Sequence, residues 1–184
     1  MTSVEKFLLI SGAIGAGKTS VANVLVSRFK FQKISSSGYL RSLIPPEELS
    51  VGDNARFQLQ NLGDQLDKET DYFWVVDPVS TGQIKIQPDI HNWLIDAVRK
   101  KRQVEHFRNK FGSAIRHIHL TAPEEILRSR HSCRSDEYDR AVNHSNEVNA
   151  RSLGEIADLI IDTSVNAPNV VATQIVSLWE THSA

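Results

Sequence analysis

A glycine-rich segment near the start of the chain has the residue types that bind a polyphosphate. It reads, in order, Gly12, Ala13, Ile14, Gly15, Ala16, Gly17, Lys18, Thr19 and Ser20. Glycines allow a backbone to wrap around phosphate oxygens and to turn successive N–H groups inward as an anion-binding nest. The Lys18 ammonium can reach the β- and γ-phosphates, and the Thr19 hydroxyl can bind the Mg²⁺ that bridges them. This Walker A spacing therefore predicts that residues 12–20 bind a nucleoside triphosphate together with Mg²⁺.

Motifs for other chemistries are missing from the sequence. Neither the Asp-x-x-Gly switch nor the Asn-Lys-x-Asp motif of GTPases occurs, which favours ATP over GTP as the nucleotide. The seven histidines lack metal-ligand spacing and Cys133 is the single cysteine, so a zinc site is not expected. The Gly-x-Ser-x-Gly elbow of serine hydrolases is also missing. Phosphate chemistry is therefore what the sequence supports.

A carboxylate beside the glycine-rich segment would complete the magnesium site and orient an acceptor. Ligands of parallel α/β sheets bind beyond the carboxyl ends of the strands, so the aspartate that ends the neighbouring strand is the candidate. Two apolar runs compete for that strand, residues 93–95 before Asp96 and residues 72–76 before Asp77. Asp96 is favoured because a helix pattern and another strand follow it directly, and Asp77 is the alternative. Arg99 would then reach the acceptor phosphate.

The elements that must position these residues follow from the spacing of apolar side chains. Residues 6–11 form a short apolar run typical of a buried strand, and residues 19–29 have apolar positions at helical spacing. Further strands are predicted at residues 32–36, 93–95, 114–120 and 157–162. Further helices are predicted at residues 46–68, before Gly112, from residue 121 onward and at residues 168–180. Alternation of this kind predicts an α/β fold, with a parallel sheet covered by helices on both faces.

Composition limits the classes of function. The chain has 184 residues, of which 40% are hydrophobic and 23% are charged, so we expect a single domain over residues 1–184. The formal net charge of −1 provides no general basic field, so a nucleic acid polymer is not an expected partner. No apolar stretch is long enough to span a membrane. One cysteine and no signal-peptide pattern after Met1 lead us to expect a cytoplasmic protein.

With these motifs in view, the sequence resembles the nucleoside monophosphate kinase-like group of P-loop kinases. Within that group, Asp96 to Arg99 after an apolar strand is most similar to the deoxynucleoside monophosphate, phosphomevalonate and dephospho-coenzyme A kinases. The resemblance implies a three-layer P-loop NTPase fold with a five-stranded parallel sheet. It also implies an acceptor-binding region at about residues 36–90 and a lid insertion at about residues 130–149. ATP and Mg²⁺ are the implied cofactors.

The resemblance also implies roles for charged residues of the lid segment. Arginines of such lids close over the phosphates and neutralise the charge that develops on the transferred group. The candidates are Arg128, Arg130, Arg134 and Arg140, of which Arg130 and Arg134 are favoured. A solvated charged surface is the alternative, because acidic residues lie among them. His144 and Glu147 could hold the base of the lid through a hydrogen bond.

On the acceptor side, Ser37 and Arg41 belong to a segment similar to the one that follows the second strand of adenylate kinases. The spacing differs, because Arg41 comes one residue sooner after the glycine than in those enzymes. Arg56 and Gln60 are four residues apart and would share one face of a helix, where they could contact an acceptor phosphate and a base.

The implied activity is transfer of the γ-phosphoryl group of ATP to a nucleoside monophosphate or a similar phosphorylated small molecule. A dephospho-coenzyme A or nucleoside kinase is the first alternative, and its acceptor hydroxyl would need a carboxylate base. A regulatory module that binds a nucleotide with little turnover is the second. The arginines of the lid segment argue against the second alternative, because binding alone does not need them.

Overall fold

A parallel sheet forms the centre of the molecule. The structure is a computed structural model, and it describes residues 4–96, 98–130, 138, 142–143 and 145–180. Within these ranges the strands are β1 (Lys6–Gly12), β2 (Gln32–Lys33), β3 (Asn92–Ile95), β4 (Ile115–Thr121) and β5 (Leu159–Asp162). All pairings are parallel and the order across the sheet is β2-β3-β1-β4-β5. The carboxyl ends of all strands therefore lie at one edge, where ligands of such sheets bind.

Helices connect the strands in the described part of the chain. They are α1 (Lys18–Phe29), α2 (Ser36–Ser42), α3 (Asp53–Glu69), α4 (Thr81–Lys85), α5 (Lys101–Phe111), α6 (Glu124–Arg130), α7 (Ser145–Ser152) and α8 (Pro168–Ser177). Short helical turns at Phe73–Val75, Val76–Ser80, Gly112–Ala114 and Leu153–Ile156 complete the connections. Among the helices of the described ranges, none has both the length and the apolar character of a membrane span.

Alternate residues of the central strand pack on opposite faces of the sheet. Phe7 and Leu9 join one buried cluster, to which α3 and α5 contribute, while Leu8 and Ile10 join a second cluster with α1 and α8. All four side chains are fully buried. A strand that is apolar on both faces is typical of a parallel sheet between two layers of helices. The predicted fold, a five-stranded parallel sheet with helices on both faces, is confirmed. The greater part of the predicted lid, residues 130–149, lies outside the described residues.

The predicted and the observed elements differ in several places. The second strand ends at Lys33 and not at residue 36, because the Ser35 side chain accepts a hydrogen bond from the Gly38 amide and caps α2. Helix α3 begins at Asp53 and not at residue 46, directly after Gly52, whose φ is +61°. The competing run 72–76 is helical from Phe73 onward, so the alternative Asp77 does not end a strand beside β1, whereas the favoured run 93–95 does pair with β1.

Candidate active site

The phosphate-binding loop connects β1 to α1 through conformations that only glycine adopts easily. Gly12 has φ +137°, and a Cβ on this residue would overlap the carbonyl oxygen of Leu120 in the neighbouring β4. Gly17 has φ +83° and precedes the first residue of α1, Lys18. The first amides of a helix have no intrahelical acceptor, and the helix dipole places partial positive charge there. The loop and the helix start therefore have the geometry that suits an anion, and the binding of a nucleoside triphosphate by residues 12–20 stays a prediction.

The Lys18 side chain lies over this loop. Its Nζ donates hydrogen bonds to the carbonyl oxygens of Gly12, at 2.7 Å, and Ala13, at 2.9 Å. Burial lowers the pKa of the Lys18 ammonium below its ordinary value, and the carboxylate of Glu147 partly opposes that effect. Arg99 lowers this pKa further and Asp96 raises it. Lys18 therefore stands among charges of both signs, at the position from which it can turn to a phosphate.

A cleft of about 1210 Å³ opens at the carboxyl edge of the sheet, over the loop. Its walls include Gly12, Ile14, Gly15, Gly17, Lys18, Thr19, Ser20, Gln60, Asp96, Arg99, Arg130 and Glu147. The other two loop residues, Ala13 and Ala16, are buried in the core and support the loop from beneath. The cleft therefore brings together most of the candidates that the sequence predicts, from five separate segments of the chain.

Asp96 directly follows β3, the strand that pairs with β1. Its side chain is 10% exposed, and its Oδ2 is 2.6 Å from the Nζ of Lys33, at the end of β2. Thr19 lines the same cleft. Hydroxyl and carboxylate oxygens are the ligands that Mg²⁺ prefers, so this pair fits the expected metal. The Lys33 contact is not visible from sequence patterns, because the two residues are 63 positions apart and meet only through the pairing of β2 with β3.

Arg130, at the end of α6, reaches across the cleft to the residue after β5. Its Nη1 donates to Thr163 Oγ1 at 2.9 Å and its Nη2 donates to the Thr163 carbonyl oxygen at 2.8 Å. Arg128 lies over the ring of Tyr138, 5.0 Å from the centroid. The remaining lid candidates, Arg134, Arg140 and His144, lie outside the described residues. Sequence analysis missed the segment 163–168, which lines the cleft and is marked in the sequence only by its position after a strand.

Glu147 contacts the loop itself. Its Oε1 accepts a hydrogen bond from the Ile14 amide at 2.6 Å. The sequence suggested a hydrogen bond at the base of the lid for this residue, and the contact with the phosphate-binding loop was not foreseen. The two residues are 133 positions apart.

The acceptor-side candidates are separated from one another. Gln60 of α3 lines the main cleft, but Ser37 and Arg41 of α2 are exposed and are not among its lining residues. Arg56 lies one turn before Gln60 in α3, and its side chain is outside the described part. A smaller groove of about 460 Å³ lies beside α2, between Ser35 and Tyr39 on one side and α4 on the other.

Two histidines of β4 are buried beneath the loop. Ser11 Oγ is 2.7 Å from His117 Nε2 and 2.9 Å from His119 Nδ1. Burial lowers the pKa of His117 to about 4, and burial together with the charge of Lys18 lowers the pKa of His119. Both rings are therefore neutral at neutral pH, so these two side chains add no positive charge beneath Lys18.

Comparisons with known proteins agree with this architecture. The AAA domain family matches residues 8–151, which is more than half of the chain. A search among curated proteins gives no match. Similar solved structures include an unliganded sugar kinase from Janibacter sp. HTCC2649, with 15% identity over 97% of this chain and 95% of that chain and a TM-score of 0.54. Another is a shikimate kinase from Acinetobacter baumannii in complex with shikimate, with 15% identity, 99% and 96% coverage and a TM-score of 0.52.

A third similar structure is the YorR protein from Bacillus subtilis in complex with phosphorylated GDP. It shares 18% identity with this chain over 95% of this chain and 96% of that one, with a TM-score of 0.53. At this level of identity the likeness concerns the fold alone. The chain therefore has the fold of P-loop kinases along nearly its whole length.

Proposed function

Because this chain belongs to the AAA domain family and has the fold of P-loop kinases, we propose that it is an ATP- and Mg²⁺-dependent kinase. Its acceptor is a nucleoside monophosphate or a similar phosphorylated small molecule. The observation that carries this proposal is the shared cleft, in which Lys18 and Thr19 of the loop face Asp96 and Arg99, which follow the neighbouring strand β3. Such a site can hold a triphosphate and a second anion side by side.

On the donor side, the loop amides and the start of α1 bind the phosphates of ATP. Lys18 exchanges its bonds to the Gly12 and Ala13 carbonyl oxygens for phosphate oxygens, and its charge stabilises the transferred group. Thr19 and Asp96 would hold Mg²⁺, which supplies positive charge at the β- and γ-phosphates when it is bound.

On the acceptor side, Arg99 holds the phosphate of the acceptor and Gln60 contacts the rest of that molecule. In the transfer step, an acceptor phosphate oxygen forms a bond to the γ-phosphorus while the bond from that phosphorus to the β–γ bridging oxygen breaks. An acceptor phosphate is already an anion, so no side chain needs to remove a proton. Arg130, and Arg134 of the lid segment, provide further positive charge for the developing anion.

The alternative acceptor is a hydroxyl group, as in a nucleoside or dephospho-coenzyme A kinase. One observation favours it: the Asp96 carboxylate lies in the cleft and could accept the hydroxyl proton. Arg99 beside it favours the phosphate acceptor, because a neutral hydroxyl substrate gives that arginine no partner in the reaction. A binding module without turnover is the third reading, and it needs no acceptor at all.

Consumption of ATP measured with different acceptors separates these readings. The protein with Mg²⁺ and ATP is incubated with a mixture of nucleoside monophosphates, with nucleosides and coenzyme precursors, or without an acceptor. We expect consumption that depends on the monophosphates and is lost in Lys18→Met. If ATP were consumed only with the hydroxyl acceptors, the acceptor would be a hydroxyl group and not a phosphate. Binding of ATP without consumption in any mixture would contradict the kinase proposal.

A further inference from the structure

The lid segment contacts the phosphate-binding loop through Arg130 and through Glu147, and the proposed reaction gives no role to the Glu147 contact. Glu147 of α7 projects its carboxylate into the cleft, and its Oε1 accepts from the Ile14 amide at 2.6 Å. The side chain is 13% exposed. A carboxylate beside a site for a triphosphate is unfavourable by charge alone, so its position needs a physical reason.

Packing of α7 and a set of polar contacts fix the position of Glu147. Ala150 in α7 and Leu153 just after it are both buried, and they fix this end of the helix against the core. Arg151 Nε is 3.7 Å from Glu147 Oε1, and the same guanidinium donates to Glu124 of α6 at 2.9 Å. Tyr138 also donates to Glu124, at 2.7 Å. A chain of charged contacts therefore fixes the carboxylate that meets Ile14.

The contacted amide lies at the tip of a tight turn. Ala16 donates its amide to the Ala13 carbonyl oxygen at 3.1 Å, so Ile14 and Gly15 form the corner of the turn. The Glu147 bond fixes this corner at Ile14, and the Ala13–Ala16 bond closes the turn. The amides of Gly15, Gly17 and Lys18 are then the ones left for the phosphates of the proposed nucleotide. Without Glu147 as its acceptor, the Ile14 amide could turn to other orientations. The loop backbone would then no longer be fixed in the conformation that suits phosphate.

We propose that Glu147 is a positioning residue of the nucleotide site, whose carboxylate fixes the Ile14 corner so that the following amides converge on the phosphates. This inference rests on the proposed function, since it assigns the site to a nucleoside triphosphate. The bond to Ile14 persists when the nucleotide is bound, and Arg151 and Lys18 balance the charge of the carboxylate. Glu147 itself touches neither the nucleotide nor the acceptor.

Three variants separate this role from competing ones. Glu147→Gln keeps an oxygen acceptor for the Ile14 amide but removes the charge. Glu147→Ala removes both, and Glu155→Ala removes the same charge from an exposed position as a control. The measurements are the Kd of a non-hydrolysable ATP analogue with Mg²⁺ by calorimetry and the hydrogen exchange of the Ile14 amide, with and without the analogue.

We expect Glu147→Ala to raise the Kd about tenfold, the effect of losing one hydrogen bond to a charged group. Exchange at Ile14 should become fast in Glu147→Ala, and it should stay slow in the wild type with the analogue bound. Glu147→Gln should keep slow exchange and a Kd within about threefold of the wild type, since a neutral acceptor forms a weaker bond. The control should match the wild type in both measurements.

Tighter binding by Glu147→Ala would overturn the inference, because the carboxylate would then compete with phosphate. An unchanged Kd with a lowered melting temperature would overturn it too, since the role would then be confined to stability. Should Glu147→Ala not fold, Glu147→Gln decides, and fast exchange at Ile14 in that variant contradicts the inference. If the wild-type protein binds no nucleotide, the proposed function is refuted. Hydrogen exchange of the Ile14 amide in the free protein would still test whether Glu147 fixes the loop.

Discussion

Replacing Asp96 by asparagine should separate catalysis from stability. The carboxylate ends β3 beside the phosphate-binding loop, and its side chain is 10% exposed. Asparagine keeps the shape and one oxygen but removes the charge that would hold Mg²⁺. We expect kcat to fall by roughly a hundredfold or more, which corresponds to about 2.7 kcal/mol of lost transition-state stabilisation. The KM for ATP should change little, because the loop amides and Lys18 supply most of the binding.

The cost in stability follows from the ion pair with Lys33. The lysine side chain is 41% exposed, so without its partner the ammonium can turn to water. A half-exposed pair of this kind contributes about 1 kcal/mol or less to the free energy of unfolding. For a domain of this size, that loss lowers the melting temperature by about 2–4 °C. The variant should therefore be folded at assay temperature while its turnover is nearly lost.

Steady-state kinetics with varied ATP, Mg²⁺ and acceptor test this prediction, and circular dichroism gives the melting temperature. Asp77→Asn is the matched control, because Asp77 is exposed and follows a helical turn. Lys33→Met is a second comparison, since it removes the cation and leaves the carboxylate free for the metal. A hundredfold loss in Asp77→Asn, or turnover within a few-fold of the wild type in Asp96→Asn, would refute the assignment of Asp96.

Three further predictions concern other residues of the site. Lys18→Met should lower kcat by about a hundredfold or more, because the side chain acts through its charge. The melting temperature should change by no more than a few degrees, since the side chain contributes little to packing; kinetics and calorimetry on the same sample test both expectations. Arg99→Met should raise the KM for the acceptor by more than about tenfold at constant KM for ATP, as the loss of a charged hydrogen bond to phosphate requires; equal changes in both constants would contradict it. The low pKa of His117 makes the fold sensitive to acid, because the unfolded chain takes up the proton near pH 6.5 and the folded chain only near pH 4. The free energy of unfolding should therefore fall by about 3 kcal/mol between these two pH values, at about 1.4 kcal/mol per pH unit. Urea unfolding at several pH values measures this loss. If the free energy of unfolding of His117→Asn fell with the same slope against pH, His117 would not be the cause.

Local sequence patterns were sufficient for the phosphate-binding loop and for the strand beside it. The loop needs glycines at positions of positive φ between an apolar run and a helix, and all of these lie within one short segment. Asp96 was favoured over Asp77 as the residue that ends the neighbouring strand, because the helix and strand that follow Asp96 make a compact parallel unit. That strand, β3, does pair with β1.

Contacts between distant segments could not be predicted in this way. The pairing of Lys33 with Asp96 depends on the register of β2 against β3, and the bond from Ile14 to Glu147 depends on how α7 packs over the loop. The early end of β2 follows from a hydrogen bond of one serine, Ser35, whose side chain caps the next helix. Apolar periodicity carries no information on any of these contacts.

Phosphorus NMR of the complete reaction tests the central claim most directly. The protein is incubated with ATP, Mg²⁺ and a mixture of nucleoside monophosphates, and the same mixture with Lys18→Met is the control. The proposed function predicts that the γ-phosphate signal of ATP decreases while ADP and a second diphosphate, formed from one of the monophosphates, increase together. Release of inorganic phosphate alone, or an unchanged ATP signal with every acceptor, would contradict it.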